Sequence, residues 1–326
     1  MFPSLSYLFY PLIVQGVAQL CLSVYAYKYV HLCYFEFMNQ QHISRINDVL
    51  FYIHKDISKE LTAKELSEVA AYSEQHFHRI FKQVVGESIH QYIRRTRMEY
   101  AANQLMFDTK STVLDIANTC GFSSLSSFSR AFKSTFDMPP GEWRKHDLQI
   151  SDKPYLKDPE VAAGYLSVAD RVLPQPKIIE VPELLAAYVR HEGYSRSIRN
   201  AWLVLKAWAN SENRDFSTQF GLHHSNPAWI HLDKCRYVAC IAIDKPLKYR
   251  GVVNQMVIPG GLHAVFRLHG VYGQLLPQIS AVLEKWLPAS GFKLRSTPAY
   301  VRYHQNHFLN DEEAFELDFY LPISFY

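Results

Sequence analysis

The hydrophobic pattern divides the chain into an extension and two predicted domains. Residues 1–37 form an apolar N-terminal extension with no charged side chain before Lys28. Residues 38–147 place apolar positions three and four apart, which predicts helices throughout. A linker over 148–173 precedes residues 174–326, where short apolar runs ending at Gly alternate with helical stretches. The pattern therefore predicts a multidomain protein, an all-α domain followed by an α+β domain.

The all-α part contains an internal repeat. Arg-Ile-Phe-Lys at 79–82 recurs as Arg-Ala-Phe-Lys at 130–133. Upstream of each copy, Thr62 and Thr112 are followed three residues later by an acid, the spacing of a capping box that begins a helix. Two short helices joined by a tight turn, repeated, are typical of a double helix-turn-helix.

The second helix of each pair, at 73–85 and 124–136, has one apolar and one polar face. The polar faces carry Gln75, His78, Arg79 and Lys82 in the first copy, and Ser126, Ser129, Arg130 and Lys133 in the second. Arg, Gln and Ser side chains hydrogen-bond to base edges in the major groove of DNA. An ordinary solvated face is the alternative for one such helix, but two in register favour DNA reading.

A single long helix is predicted between the two units. Ser88 and Gln91 have capping-box spacing, and the helical pattern continues to about Phe107. About twenty residues give roughly 30 Å, close to the roughly 34–36 Å between neighbouring major-groove segments on one side of DNA. A monomer therefore suffices to place both reading helices. Five basic residues between Arg79 and Arg97 are candidate phosphate contacts.

With these motifs in view, residues 42–146 resemble the DNA-binding domain of the AraC/XylS family. The likeness is carried by Ile116-Ala117, Gly121-Phe122-Ser123, Phe128-Ser129-Arg130, Pro139-Pro140 and Arg144. The resemblance implies that bases are read by Gln75, His78, Arg79, Leu125, Ser126, Ser129 and Arg130. The first turn departs from the family, because Ala71 replaces a usual Gly, and we expect that turn to be shaped differently.

The second half contains a different repeat. Ala-Tyr-Val-Arg-His-Glu-Gly at 187–193 matches Ala-Val-Phe-Arg-Leu-His-Gly at 264–270. Each copy is followed by a helix and two short strands, so we predict an α+β domain of two strand-helix-strand-strand repeats. The segments Pro259-Gly260-Gly261, Trp286-Leu287-Pro288 and Cys235-Arg236-Tyr237 resemble the GyrI-like small-molecule-binding domains.

This second resemblance implies a groove between the repeats that binds hydrophobic, often cationic, molecules. Aromatic rings suit stacking and cation–π contacts, so the candidate ligand-binding residues are Tyr194, Trp202, Trp229, Tyr272, Tyr300 and Tyr303, with Glu316 as a candidate carboxylate. Val301 stands where relatives often carry an acid. This valine shifts the expectation toward a neutral or less cationic ligand, and a protein partner in place of a small molecule is the alternative.

Composition and motifs narrow the function further. Five scattered cysteines without Cys-x-x-Cys spacing indicate neither disulfides nor zinc and favour a reducing cytoplasm. His223 and His224 are adjacent, so they make a poor metal pair. No nucleophile elbow, zinc-protease motif or phosphate loop occurs. We expect no cofactor, no metal and no catalytic residue; a hydrolase, as some GyrI-like domains are, is disfavoured by Val301.

The extension over 1–37 has two interpretations. Its length could span a membrane, with Lys28 on the cytoplasmic side. Pro3, Pro11 and Gln15 interrupt the apolar run, and Met38 opens an ordinary helix start, which favours a mis-assigned start over a membrane tether.

The prediction as a whole is a cytoplasmic, nucleoid-associated transcription regulator. It binds double-stranded DNA, responds to a small hydrophobic effector, and contacts RNA polymerase if it is an activator. The net charge of +3 adds little to this, since the charge positions and not their sum carry the argument.

Overall fold

The structure, a computed structural model, describes residues 41–108, 110–145, 153–247, 251–295 and 297–326. The apolar extension over 1–37, with its two interpretations, lies outside these residues. Among the described helices, none combines the length and the apolar character that a membrane crossing requires.

Seven helices form the first domain. Their bounds are α1 (41–55), α2 (Ala63–Val69), α3 (Glu74–Val85), α4 (Ile89–Phe107), α5 (Val113–Thr119), α6 (Leu125–Phe136) and α7 (Pro140–Trp143). The predicted helix starts are confirmed: the Thr62 hydroxyl accepts a hydrogen bond from the Glu65 amide, and Ser88 and Thr112 make complete capping boxes. The double helix-turn-helix predicted from the repeat is therefore the fold of this domain.

Helix α4 is shared by two separate hydrophobic cores. The first core joins Phe77 and Phe81 of α3 to Tyr92 of α4. The second joins Phe128 and Phe132 of α6 to the other end of α4, at Met98, Ala101 and Leu105. Because both reading helices pack on one continuous helix, their separation is fixed by a rigid element.

The two tight turns have the same backbone conformation, contrary to our expectation for the first. Ala71 adopts a φ of 52° and Gly121 a φ of 73°, both left-handed. A residue with a Cβ costs about 1–2 kcal/mol there, so the first turn keeps the shape of the second at a cost in stability.

The segment predicted as a linker contains a helix of its own, α8 (Pro159–Val168). Asp158 caps it by accepting hydrogen bonds from the amides of Glu160 and Val161, and Pro159 occupies the first helical position. At Gly164, α8 lies so close to the turn after β6 that a Cβ on Gly164 would be 2.2 Å from the Gly273 carbonyl oxygen. The segment is thereby docked onto the second domain.

The second domain is a nine-stranded antiparallel sheet with helices on one face. Its strands are β1 (Lys177–Val181), β2 (Leu184–Glu192), β3 (Gln219–His223), β4 (Arg236–Ala242), β5 (Asn254–Ile258), β6 (Gly261–Val271), β7 (Phe292–Leu294), β8 (Ala299–Gln305) and β9 (Ala314–Phe325). Helix α9 (Ile198–Ser211) follows β2; α10 (Leu275–Ala281) follows β6 and continues through a π-turn, Val282–Trp286, into α11 (Leu287–Ala289).

The strand order confirms the predicted repeat and adds an exchange that the sequence pattern does not show. The order is β1-β6-β9-β8-β3-β4-β2-β5, with β7 paired to β9, so the repeats β2-α9-β3-β4 and β6-α10-β8-β9 mirror each other about the β8–β3 pair. Strand β1 precedes the first repeat but pairs with β6, whereas β5 precedes the second repeat but pairs with β2.

The two domains pack against each other. Phe107, the last residue of α4, belongs to the large core of the second domain, and the Gln104 side-chain amide donates to the Leu294 carbonyl at 3.0 Å. On the sheet face opposite α9 and α10, the Arg190 guanidinium donates a hydrogen bond to the Asn47 side chain of α1 at 3.0 Å. Helices α1 and α4 therefore contact the sheet and its loops directly.

Candidate DNA-reading faces and effector groove

The predicted base-reading residues lie on outward faces of α3 and α6. The side chains of Gln75, Arg79, Lys82, Leu125, Ser126, Arg130 and Lys133 are exposed, and those of His78 and Ser129 are half-buried. Leu125, whose period also allowed a core position, is 42% exposed. The apolar stripe of each helix is buried in its own core, so hydrogen-bonding side chains are left available to base edges.

The local contacts of the reading residues are weak and replaceable. The Arg79 guanidinium lies 3.0 Å from the His76 ring nitrogen, and Arg130 donates to the Ser126 carbonyl at 3.4 Å. These exposed bonds can be exchanged for contacts to guanine at little cost. Ser73 is the N-cap residue of α3 and Ser124 that of α6, and the backbone amides at such helix starts are suited to phosphate binding.

Two of the five basic residues expected to contact phosphate are engaged inside the protein. Arg97 donates to the carbonyls of Ile57, Lys59 and Gly121. Its guanidinium thereby links the loop before α2 to the turn of the second unit. Arg95 is bound by carboxylates at the domain interface. The expectation of phosphate contact is therefore limited to Arg79, Lys82 and Arg94, which are exposed.

The helices α9 and α10 flank a groove whose aromatic residues are tightly packed. Trp202 is completely buried and donates to the Tyr237 hydroxyl at 3.3 Å, and the Tyr237 and Tyr303 hydroxyls lie 3.1 Å apart. Burial raises the pKa of both tyrosines, so their hydroxyls are neutral. Trp202 and Tyr303 are thus part of the groove's packed floor.

Tyr194 and Tyr272 face each other across a cavity of about 40 Å³ at one end of the groove. His307 and His223 line the same cavity, and burial lowers the pKa of His307 to about 3 and that of His223 to about 4. Tyr272 is covered on its outer side by the Arg196 guanidinium, 4.1 Å from the ring centre. Two of the predicted ligand-binding residues, Tyr194 and Tyr272, therefore line the same cavity.

The other three predicted ligand contacts do not join this group. Tyr300 lies on the opposite face of the sheet, stacked on Tyr320 at 4.7 Å, because strand residues alternate between faces. Glu316 is exposed and pairs with Arg267 at 2.8 Å. Trp229 packs at the domain interface.

The Trp229 ring lies 5.8 Å from Trp143 of α7 and 6.0 Å from Phe107. Val301 is fully buried in the core beneath the helices. A valine there supplies no carboxylate, as the sequence comparison with GyrI-like domains indicated.

A larger cavity, of about 130 Å³, lies between α4 and the second domain, and sequence reasoning missed it. Its polar lining includes His54, Arg95 and Glu99 from the first domain and His224, Arg236 and Arg295 from the second. We refer to it as the interdomain cavity. A polar residue on α4 has the same sequence signal whether it faces solvent or another domain, so the pattern contains no sign of it. Within the described part of the chain, no three His, Cys, Asp or Glu side chains are grouped so that they could hold a metal ion.

Known protein families match both halves of the chain. A family described as "Helix-turn-helix domain" matches residues 66–146, and one described as "GyrI-like small molecule binding domain" matches residues 174–324. The fold and the two faces thus define a helix-turn-helix DNA-binding protein fused to a small-molecule-binding domain.

Among curated relatives, the multiple antibiotic resistance protein MarA of Escherichia coli is 34% identical over 104 residues, which is 32% of this chain and 81% of MarA. The TetD protein of Escherichia coli is 37% identical over 109 residues, 33% of this chain and 78% of TetD. The probable transcriptional regulator LumQ of Photobacterium leiognathi is 35% identical over 108 residues, 32% of this chain and 43% of LumQ. The chain belongs to the AraC family of DNA-binding transcription regulators, and it carries a GyrI-like small-molecule-binding domain.

Solved structures resemble each half separately. An AraC-type regulator from Chromobacterium violaceum shares 25% identity with a TM-score of 0.29, over 31% of this chain and 89% of its own. The EcmrR C-terminal domain shares 17% identity with a TM-score of 0.38, over 48% of this chain and 100% of its own.

Proposed function

We propose that one copy of this chain reads an asymmetric DNA site, with α3 and α6 in neighbouring major-groove segments, and that a small molecule bound in the second domain modulates this binding. The observation that carries the proposal is the pair of exposed reading faces on α3 and α6, which both pack against one continuous helix, α4. Arg97 supports it, because its three carbonyl contacts fix the second unit relative to the first.

A small molecule is favoured over a protein partner as the signal. The groove contains a cavity of about 40 Å³ and the boundary with α4 one of about 130 Å³, whereas a protein partner needs a broad exposed surface. The buried Val301 argues against hydrolysis, since the groove then lacks the carboxylate that a general base would use. We propose a cytoplasmic regulator without catalytic activity, which contacts RNA polymerase if it activates transcription.

The test is selection of bound sequences from random DNA, followed by fluorescence anisotropy on the selected duplex. Arg79→Ala and Arg130→Ala are each expected to lose discrimination at one position, at a cost of about 1–3 kcal/mol. The matched control is Arg302→Ala, an exposed arginine of the second domain. Equal affinity for the selected and a scrambled duplex contradicts the proposal, and so does loss of discrimination at several positions in the Arg302 variant.

A further inference from the structure

The interdomain cavity has one positively charged half. Arg95 pairs with Glu99 at 2.6 Å and with Glu87 at 2.9 Å, and Arg236 pairs with the same Glu87 oxygen at 2.9 Å. Arg295, the third arginine of the lining, donates to the Gly260 carbonyl at 3.2 Å. Three arginines thus meet two carboxylates, which leaves an excess of one positive charge around an enclosed space.

Two polar nitrogen atoms in this half are buried without a partner among the described residues. They are Nη1 of Arg236 and Nε2 of His224. Each unpaired buried polar atom costs roughly 1–3 kcal/mol. In native proteins a polar group beside a cavity is satisfied by an ordered water or by a bound ligand.

The histidines add hydrogen-bonding capacity without adding charge. The His54 and His224 rings lie 4.5 Å apart. Burial and the neighbouring arginines Arg190 and Arg236 lower the pKa of His224 to about 3, and the same causes, with the nearby His224, hold the pKa of His54 well below its usual value. A neutral imidazole can still donate one N–H. The site is therefore suited to one negative charge and not to several.

The opposite half of the cavity is apolar. It is formed by Leu276 and Ile279 of α10, Leu283 of the following π-turn, and Phe319 and Leu321 of β9. A cavity of roughly 150 Å³ holds a benzene ring, so the 130 Å³ here accommodate a body of about that size. The division into a basic and an apolar half matches a small amphiphilic anion.

We propose that the interdomain cavity binds a small apolar monocarboxylate, with its carboxylate on Arg236 and His224 and its apolar body against α10. The inference rests on the proposed small-molecule sensing and names the chemical class of the ligand. The preference for an anion follows from the arginines of this cavity, which outnumber the carboxylates that pair with them.

The site is incomplete without the DNA-binding domain. Glu99 and Asn103 line the cavity from α4, and they bond to Ser225 at 3.0 Å and to Asn226 at 2.9 Å on the loop after β3. The ligand therefore touches the helix that carries both reading units. Since coupling between two sites is reciprocal, DNA and carboxylate change each other's affinity by the same factor.

The experiment is isothermal titration of the full chain with benzoate, and with benzamide and benzylamine as neutral and cationic matches of the same size. Benzoate is expected to bind at least ten times more tightly than either. Arg236→Met is expected to weaken benzoate at least tenfold, whereas Arg267→Met, another carboxylate-paired arginine of the same domain, leaves it unchanged. Comparable binding of the amide or the amine, or an unaltered affinity in Arg236→Met, overturns the proposal.

A second variant guards against loss of folding as the cause. Glu99→Gln removes the one carboxylate that lines the cavity while keeping the size of the side chain, and it is expected to strengthen benzoate binding several-fold. Damage to the fold cannot produce a gain in affinity. If neither benzoate nor hexanoate binds a chain that still selects its DNA site, the carboxylate inference is wrong and the DNA-binding proposal stands. If a carboxylate binds but the chain shows no selective DNA binding, the DNA-binding proposal is wrong and the carboxylate inference stands.

Discussion

Arg236, on the first residue of β4, and Glu87, in the turn before α4, form an ion pair of 2.9 Å across the two domains. The same Glu87 oxygen accepts from Arg95 at 2.9 Å, so one carboxylate connects the effector sheet to the helix that carries the reading units. Both partners are mostly shielded, with 19% and 23% of their side-chain surfaces exposed, so solvent screens this pair less than a surface pair.

A double-mutant cycle of Glu87→Ala and Arg236→Ala is expected to give a coupling free energy of about 1–2 kcal/mol, because the pair is a shielded, charge-assisted hydrogen bond. Denaturant unfolding of the full chain measures it. The control is the cycle of Arg267 and Glu316, whose side chains are about half exposed, and there the coupling stays within about 0.2–1 kcal/mol. Equal coupling in the two cycles contradicts the interdomain role of Arg236.

The two tight turns give a matched pair of substitutions with opposite signs. Ala71→Gly relieves the left-handed backbone and is expected to stabilise the protein by about 0.5–1 kcal/mol, since part of the gain is offset by the greater entropy of unfolded glycine. Gly121→Ala is expected to destabilise it by about 2–4 kcal/mol, from backbone strain and overpacking. The added Cβ would lie 2.6 Å from Arg97 Nη2 and 2.8 Å from the Ser58 carbonyl.

Thermal unfolding measures both effects. Stabilisation by both substitutions, or by neither, shows that the left-handed turns are not matched as described.

Substitutions at Arg97 and Lys82 are expected to distinguish a cation that stabilises the fold from one that contacts DNA. Arg97→Met is expected to destabilise the fold by about 2–4 kcal/mol, because three carbonyl contacts are lost, and to leave the salt dependence of DNA binding unchanged. Lys82→Met is expected to leave stability within about 0.5 kcal/mol and to reduce the slope of log affinity against log salt by about 0.9. Anisotropy titrations over a series of salt concentrations decide this, and a reduced slope in the Arg97 variant refutes the assignment.

His307 makes stability fall in acid. Its pKa is about 3 in the folded state, because of burial first and of His223 second, against 6.5 as the ordinary value. Between these values the unfolded chain binds a proton that the folded chain does not, so stability is complete above pH 6.5 and falls as the pH decreases toward 3. His307→Phe keeps a ring among Phe308 and Phe315 and removes the titration.

The slope of unfolding free energy against pH is then expected to decrease by about 1.4 kcal/mol per pH unit in the His307→Phe variant, around pH 5. Denaturant titrations at pH 4.5 to 7 measure it. A slope identical to that of the unaltered chain would mean that His307 is not kept neutral by the fold.

The features that could be predicted from the sequence are those that depend on interactions between residues close together in the chain. The helix starts at Ser88 and Thr112 were predictable because a capping box is complete within four residues. The repeats were predictable because each unit places its own apolar stripe, as Phe128 and Phe132 do in α6. The left-handed Ala71 was not, because a residue with a Cβ does not signal that conformation.

By itself, then, the sequence determined the all-α and α+β halves, the repeat within each half and the outward faces of α3 and α6, since periodicity and capping are local properties of the chain. Only the tertiary structure decided that Trp229 packs at the domain interface, that Arg95 pairs inside the protein, and that α4 lines the interdomain cavity. Each of these outcomes depends on packing between segments that are far apart in the chain. A charged residue has the same local signature facing water or facing another domain, and only long-range packing distinguishes the two.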